Sequence, residues 1–474
     1  MKQFYFFTFL CLCLNFGFAQ VTQVLDINDG SNNSNPRNLY IFNGNIYFNA
    51  DDSSGVNSGG SDLGQELWIT DGTAVGTSLL KDIQIGSSNS SPFAFFELGS
   101  TLYFSANDGG GSRIWQTDGT EAGTINTNNG FSNLQPIIVG SKAYMTATTL
   151  GNVFYEFDGT TFQQVTDVGN CTATPIGGIY IEFDPNTILI YMDYSTDEPT
   201  IGRELYKYDI AAQTYTLVKD VDTGTGDSSI NYMAKINSTV YFEADNALWQ
   251  TDGTEMGTIL VSVVDAAGIG SVTEFYVWNG NLYFEGDDGN GDQLWKYDPI
   301  ADTVTNLSNL TGTNTNHDPS DYAEYNGWLY YRGEDANDTD GHLFRTNGTT
   351  VEQIDSTIKD IDDIVVFNNK LYFEGDDGTT GNELYSFDDA TLSITSLDLN
   401  NIVKVYPNPS RGTINIKTNN QIDLDYTIYD INGRQILNGV LLNDQIQHQL
   451  ASGMYVLKLR SENSITVSKK IIVE

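Results

Sequence analysis

Two markers recur together eight times along the chain, and no other feature of the sequence restricts its fold so tightly. The first is an aromatic strand: Ile46-Tyr47-Phe48, Leu102-Tyr103-Phe104, Ala143-Tyr144-Met145, Ile190-Tyr191-Met192, Val240-Tyr241-Phe242, Leu282-Tyr283-Phe284, Leu329-Tyr330-Tyr331 and Leu371-Tyr372-Phe373. The second follows each of these and is clearest at Glu66-Leu67-Trp68-Ile69-Thr70-Asp71-Gly72-Thr73. It is copied closely at 113–120 and 247–254 and loosely at 154–160 and 342–349. At Leu205-Tyr206, Leu294-Trp295 and Leu384-Tyr385 the apolar pair is kept and the turn is replaced. Apolar and β-branched residues around an Asp-Gly centre spell strand, tight turn, strand. The tyrosines of the first marker step by 56, 41, 47, 50, 42, 47 and 42 residues, and the aromatics of the second by 47, 40, 51, 43, 46, 49 and 41. A period in the forties in a strand-rich chain predicts an all-β propeller with one four-stranded sheet per repeat.

The expected architecture is a β-propeller of about eight four-stranded blades over residues 20–400, with seven left open, followed by a small β-sandwich over 401–474. The blade number turns on how the ring closes. Val21-Thr22-Gln23-Val24-Leu25-Asp26-Ile27 precedes the first repeat yet reads like the last strand of one, while Ser393-Ile394-Thr395-Ser396-Leu397-Asp398-Leu399 offers the eighth repeat a strand of its own. The degraded copies between Thr146 and Thr200 are where a miscount would hide. An isolated sheet cannot cover both its faces, so the marker aromatics are expected to be core between neighbouring blades.

The chain carries 62 acidic against 22 basic residues, a formal net charge of -40. Nucleic acid is excluded as a partner, because phosphate binding needs clustered Lys and Arg. Residues 1–19, with Lys2, an apolar run from Phe4 to Leu14 and small residues up to Ala19, have the plan of a signal peptide cleaved after Ala19. Cys11 and Cys13 would leave with it, so Cys171 remains without an intrachain partner. No other stretch approaches the ~18 apolar residues of a membrane-spanning helix. The expected product is monomeric and is secreted or displayed on the outer cell surface.

Beyond Leu399 the acidic bias ends: residues 402–474 hold 8 Lys or Arg against 6 Asp or Glu. A corner at Pro407, Asn408, Pro409 and Gly412 opens this segment, a hairpin turns at Gly433, Gly453 and Tyr455 begin a strand, and Lys469-Lys470-Ile471-Ile472-Val473 closes it. These segments, in this order, resemble the type A C-terminal sorting domain of the type IX secretion system of Bacteroidetes. That resemblance implies export across the outer membrane, with the secretion machinery as partner. The repeats, through Glu-Leu-Trp-x-Thr-Asp-Gly-Thr and Leu79-Leu80-Lys81-Asp82-Ile83, resemble ELWxxDGT-type repeats of large bacterial surface proteins. Hairpins such as Lys296-Tyr297-Asp298-Pro299 resemble kelch repeats.

Chemistry is sparse by comparison. No nucleophile elbow, phosphate loop or paired-histidine motif occurs, and His317, His342 and His448 are expected to be solvated loop residues. The most suggestive pattern is the acidic loop after the aromatic strand, above all Asp287, Asp288 and Asp292 in the sixth repeat and Asp376 and Asp377 in the eighth. Such hard oxygen ligands suit calcium, although Asp, Asn and Gly also serve simply as turn residues. The resulting expectation is a propeller without catalytic role, binding an extracellular protein or glycan through one rim. An extracellular glycan-degrading hydrolase or lyase on the same scaffold is the alternative.

Overall fold

The computed structural model describes residues 20–130, 133–147, 153–165, 174–193, 200–389, 404–417, 424–430, 434–441, 445–461 and 466–474. Two compact units form, one of them Gln20–Asp389. Within it the strands make eight four-stranded antiparallel sheets, one for each repeat. Blade 1 consists of Arg37–Phe42, Asn45–Asp51, Gln65–Thr70 and Ser78–Lys81, paired in chain order. Its second strand does not alternate between core and solvent: Ile46, Tyr47, Phe48 and Ala50 are all at most 1% exposed. Both faces are covered because each sheet is sandwiched between two others.

The core shows how. Phe42, Tyr47 and Leu67 of blade 1 pack on Phe95, Phe104 and Trp115 of blade 2. On the opposite face Ile46, Phe48 and Trp68 pack on Phe367, Tyr372 and Leu384 of blade 8. Equivalent clusters join every other successive pair of sheets. Sheet 8 thus meets sheet 1 and the ring is closed. The first strands of the sheets also touch their counterparts on either side all the way round, which places them nearest the axis.

Closure uses the N-terminal strand. Gln20–Leu25 lies antiparallel on Asn382–Asp388, with Thr22 opposite Ser386 and Gln23 opposite Tyr385, and supplies the outermost strand of blade 8. The rival segment, Ser393 to Leu399, lies outside the described residues, as do the predicted signal peptide and parts of the weak third and fourth repeats. The ring has eight blades, resolving the choice between seven and eight.

Each part of the repeat motif has a mechanical role. In the turn, Asp71 Oδ1 accepts hydrogen bonds from Thr73 N (2.9 Å) and Thr73 Oγ1 (2.7 Å), while Thr70 and Thr77 pair through their hydroxyls at 2.7 Å. The same bonds recur around Asp118 and Asp252. The turn glycine faces the neighbouring blade. Gly119 adopts φ +92°, and a Cβ there would sit 2.7 Å from Tyr47 Oη. Tyr103 Oη donates to the carbonyl of Gly159 at 3.2 Å in the equivalent place.

The leading Glu of the motif is a latch. Glu66 is fully buried, and its carboxylate accepts from Ile83 N (2.7 Å), Gln84 N (3.3 Å), Ser90 N (3.1 Å) and Ser90 Oγ (2.6 Å). It thereby ties the segment after the fourth strand to the third. Glu383 repeats this with Ile27 N, Asn28 N and Ser34 Oγ, and Glu204 with Val221 N. Gln293 does the same work with an amide, taking Ser308 Oγ and Leu310 N.

Burial outweighs these hydrogen bonds and pushes the carboxyls up, Glu66 and Glu204 to about 7 and Glu383 to about 8. The folded state therefore holds protons that the unfolded chain releases near pH 4.5. The stabilisation is complete below that pH and is lost as pH rises through 7 to 8. Thermal melting followed by circular dichroism is expected to give a Tm that falls between pH 5 and pH 8.5, with a shallower fall in Glu383→Gln. A Tm that rises over this interval contradicts the assignment.

The second unit contains two β-sheets. Lys404–Tyr406, Thr413–Lys417 and Gln445–Gln447 form one, and Gln435–Val440, Leu424–Asp430, Gly453–Ser461 and Thr466–Val473 the other. Ile414, Ile416, Ile428, Ile446, Leu457, Leu459 and Ile471 fill its core. Asn408 holds the corner to the last strand, accepting from Ile472 N (2.8 Å) and donating to Lys470 O (2.9 Å), with Pro407 and Pro409 on either side. Gly412 sits at φ +101° and its carbonyl accepts from His448 N. Tyr455 Oη donates to Ala451 O, Gly453 pairs with Val473, and Gly433 lies outside the described residues.

Candidate functional site at the inner strands

The first strands are irregular in a repeated way. The pairing register slips between Arg37 and Tyr40 in blade 1, Phe93 and Phe96 in blade 2, Ser320 and Ala323 in blade 7, and Lys359 and Val365 in blade 8. At these bulges Asn38, Ala94, Asp321 and Asp363 take φ between +52° and +59°, and Glu274 in blade 6 takes +51°. Asn and Asp tolerate this left-handed conformation better than Ala or Glu. A bulge re-aims its side chain, and here the carboxylates reach a neighbouring blade. Asp321 Oδ1 accepts from Asp363 N at 3.3 Å, and Asp363 Oδ2 from Asn38 N at 2.6 Å. Glu274 Oε1 accepts from Tyr232 Oη of blade 5 at 2.8 Å.

Carboxylates consequently gather on the blade 6 to blade 8 side. One oxygen each from Asp321, Asp362 and Asp363 lies within 4.8 Å of the others. Glu374 stands beside them with Arg37, whose Nε is 2.9 Å from Glu374 and whose guanidinium is 3.9 Å from Asp362. Burial, with the charge of Asp362 adding to it, pushes Asp321 to about 6, and burial likewise raises Asp363 to about 7. Glu285 rises to about 8 through burial and the nearby charges of Asp318 and Asp292. Asp363 and Glu285 thus hold a proton for part or most of the time near neutral pH. Such a group can donate hydrogen bonds to hydroxyls or act as a general acid beside a carboxylate base.

The acidic loops singled out from sequence lie elsewhere. Asp287 and Asp292 face each other across the blade 6 hairpin, and Asp376 faces Asn382 in blade 8, two blades away. Asp287 Oδ1 accepts from Gly289 N and Gly291 N, Asp288 from Asn290, Asp376 from Gly378 N, and Asp377 from Thr379 and Thr380. These are turn-forming bonds, and the two groups do not meet in one site.

The histidines correct the sequence reading. His317, His342 and His448 are 0%, 1% and 7% exposed, not solvated. His317 bonds Glu334 O through Nδ1 at 2.7 Å and Tyr331 Oη through Nε2 at 2.9 Å, and burial lowers it to about 4. His448 Nε2 meets Ser410 Oγ at 2.9 Å. Sequence reasoning also missed the latch and the bulge acids. The recurrence of Glu before Leu-Trp or Leu-Tyr at 66, 204 and 383 was the available signal for the latch. Nothing local marks the acids, because Asp321 and Asp363 come from separate repeats.

Residues 404–474 match the secretion system C-terminal sorting domain family. No curated protein sequence matches the chain. Among solved structures it is similar to a puromycin hydrolase, with 11% identity, 76% of this chain and 60% of that one covered, and a TM-score of 0.44. It is also similar to an oligogalacturonate lyase from Vibrio parahaemolyticus, with 12% identity, 75% and 98% covered, and a TM-score of 0.44. A third is the β-propeller domain of the trilobed protease from Pyrococcus furiosus, with 12% identity, 69% and 98% covered, and a TM-score of 0.40. The chain spans about 60% of the length of the puromycin hydrolase. Against the expectation of a propeller without catalytic role stands the finding that these neighbours include a hydrolase and a lyase; at this distance the likeness assigns no activity to the chain. No helix among the described residues is long and apolar enough to cross a membrane. The chain is a secreted or cell-surface protein, a β-propeller that carries a type IX secretion C-terminal sorting domain.

Proposed function

We propose that the exported propeller recognises an extracellular glycan through the acidic inner-strand cluster of blades 6 to 8. The observation that carries this is the convergence of Asp321, Asp362 and Asp363 from two blades within 4.8 Å. Carboxylates in both protonation states offer acceptors and donors to sugar hydroxyls, and the surrounding negative charge disfavours acidic polymers. A neutral or amino-sugar-containing glycan fits, and a basic protein segment is the competing ligand that a binding screen would reveal. A glycan array probed with the mature chain is expected to give signal on such glycans. Asp362→Asn, a side chain 40% exposed, is expected to weaken binding about tenfold, ~1.4 kcal/mol, without moving Tm. Silence on the array, or unchanged binding in both Asp362→Asn and Asp321→Asn, contradicts the reading.

One observation favours a second reading, a glycan-degrading enzyme on the same cluster. Asp363 is held at about 7 with an oxygen within 4.8 Å of one on Asp362, a protonatable carboxyl placed beside another as paired-carboxylate cleavage requires. Incubation of neutral polysaccharides with the mature chain is then expected to release reducing ends, and Asp363→Asn to abolish the release. Binding without turnover removes this second reading and leaves the first.

A further inference from the structure

The latch position of blade 7 departs from the pattern of its neighbours. Where blades 1, 4 and 8 place Glu66, Glu204 and Glu383, and blade 6 places Gln293, blade 7 opens its third strand, His342–Thr346, with His342. The carboxylates accept backbone N–H groups from the segment that follows the fourth strand. The imidazole instead meets a carbonyl, with Nδ1 2.9 Å from Ile358 O. A carbonyl only accepts, so Nδ1 carries a proton, which leaves Nε2 as the ring atom that can ligate a metal.

Nε2 faces a carboxylate. Asp338 Oδ1 lies 3.3 Å from Nε2, and the ring is 1% exposed, so water does not surround it. Asp335 completes the group, with one oxygen from each carboxylate and the ring nitrogen all within 4.8 Å of one another. The two aspartates are fixed from behind. Asp335 Oδ1 accepts from Asn337 N (2.6 Å) and Asp338 N (3.2 Å), and Asn314 Nδ2 donates to the carbonyls of Asp335 (3.1 Å) and Asp338 (2.9 Å). Asp338 keeps 45% of its side chain in solvent, which gives an ion a way in.

We propose that His342 Nε2, Asp338 and Asp335 bind a divalent transition-metal ion of the Zn²⁺, Mn²⁺ or Co²⁺ class. The three ligand atoms converge closely enough to share one cation, and the Nδ1–H bond to a backbone carbonyl is the outer-sphere support that orients a ligating imidazole. One nitrogen and two carboxylate oxygens suit these ions, whereas Ca²⁺ takes oxygen ligands alone. The side open to solvent leaves positions for water or for a ligand oxygen. This site is separate from the inner-strand acids and does not depend on their reading.

The test is Zn²⁺ titration of the mature full chain by calorimetry, in excess Ca²⁺ so that loosely acidic surface positions are occupied. One Zn²⁺ per chain is expected, weakened at least tenfold in Asp338→Asn and lost in His342→Gln, with Asp376→Asn unchanged. Gln is a native latch residue at position 293, so His342→Gln keeps a group suited to that position, and its melting curve checks that it does. Cu²⁺ loaded in place of Zn²⁺ is expected to show imidazole nitrogen coupling in pulsed electron paramagnetic resonance, absent from His342→Gln. Failure to retain Zn²⁺ against Ca²⁺, or equal affinity in Asp338→Asn and the parent, overturns the proposal. In that outcome the His342–Asp338 hydrogen bond alone accounts for the contact.

Discussion

Glu66→Ala is expected to destabilise the propeller by roughly 3–5 kcal/mol, read from the midpoint of urea denaturation. The substitution strips the acceptor from Ile83 N and Gln84 N, and leaves Ser90 N and Ser90 Oγ only their bonds to the carbonyl of Gln65. Each buried donor left unpaired costs about 1–3 kcal/mol, and the sum is less than additive because the segment shifts toward water. Ile83, 6% exposed and packed between blades 1 and 2, moves with it. Glu66→Gln retains an acceptor oxygen and is expected to lose less, as native Gln293 implies. A loss below about 1 kcal/mol in Glu66→Ala would show that the carboxylate does not hold the segment.

Removal of residues 20–25 is the other large effect. It takes the outer strand from blade 8, with the partly buried side chains of Val21, Val24 and Leu25, and weakens the hold of Glu383 on Ile27. About 1 kcal/mol for each apolar side chain plus the exposed edge gives a loss on the order of 4 kcal/mol, a large share of ordinary domain stability. Because blade 8 contacts blade 1 through Phe367, Tyr372 and Leu384, the damage is expected at that junction first. Limited proteolysis should cut there while the interior of blades 3 to 6 stays protected. Protection equal to that of the parent chain contradicts this role for the strand.

Much of this architecture is legible in the sequence, for a physical reason. Residues buried on both faces of a sheet must be apolar throughout, so Tyr47-Phe48 and its seven counterparts stand out at every period, and the Thr-Asp-Gly-Thr turn is satisfied within itself. Ring closure is not legible in the same way. Val21-Thr22-Gln23-Val24-Leu25 and Ser393 to Leu399 are both competent strands, and only pairing with Asn382–Asp388 distinguishes them. The candidate site is hidden for a related reason. Asp321 and Asp363 lie 42 residues apart in sequence and meet only because bulges in adjacent blades turn them toward each other. The acidic loops at Asp287 and Asp376 were conspicuous in the chain, yet their oxygens serve their own turns. His342 looked like a loop residue because its role at the latch is visible only against Glu66, Glu204 and Glu383 in register.

The closed ring is tested most directly by a disulfide across the final junction. In a chain with Cys171→Ser, the pair Thr22→Cys and Ser386→Cys occupies directly opposed positions with side-chain oxygens 3.1 Å apart, within the reach of a disulfide. Mild oxidation followed by peptide mass spectrometry is expected to find positions 22 and 386 joined within one chain. If that pair stays reduced while Thr395→Cys with Ser386→Cys is joined instead, the N-terminal strand does not close the propeller.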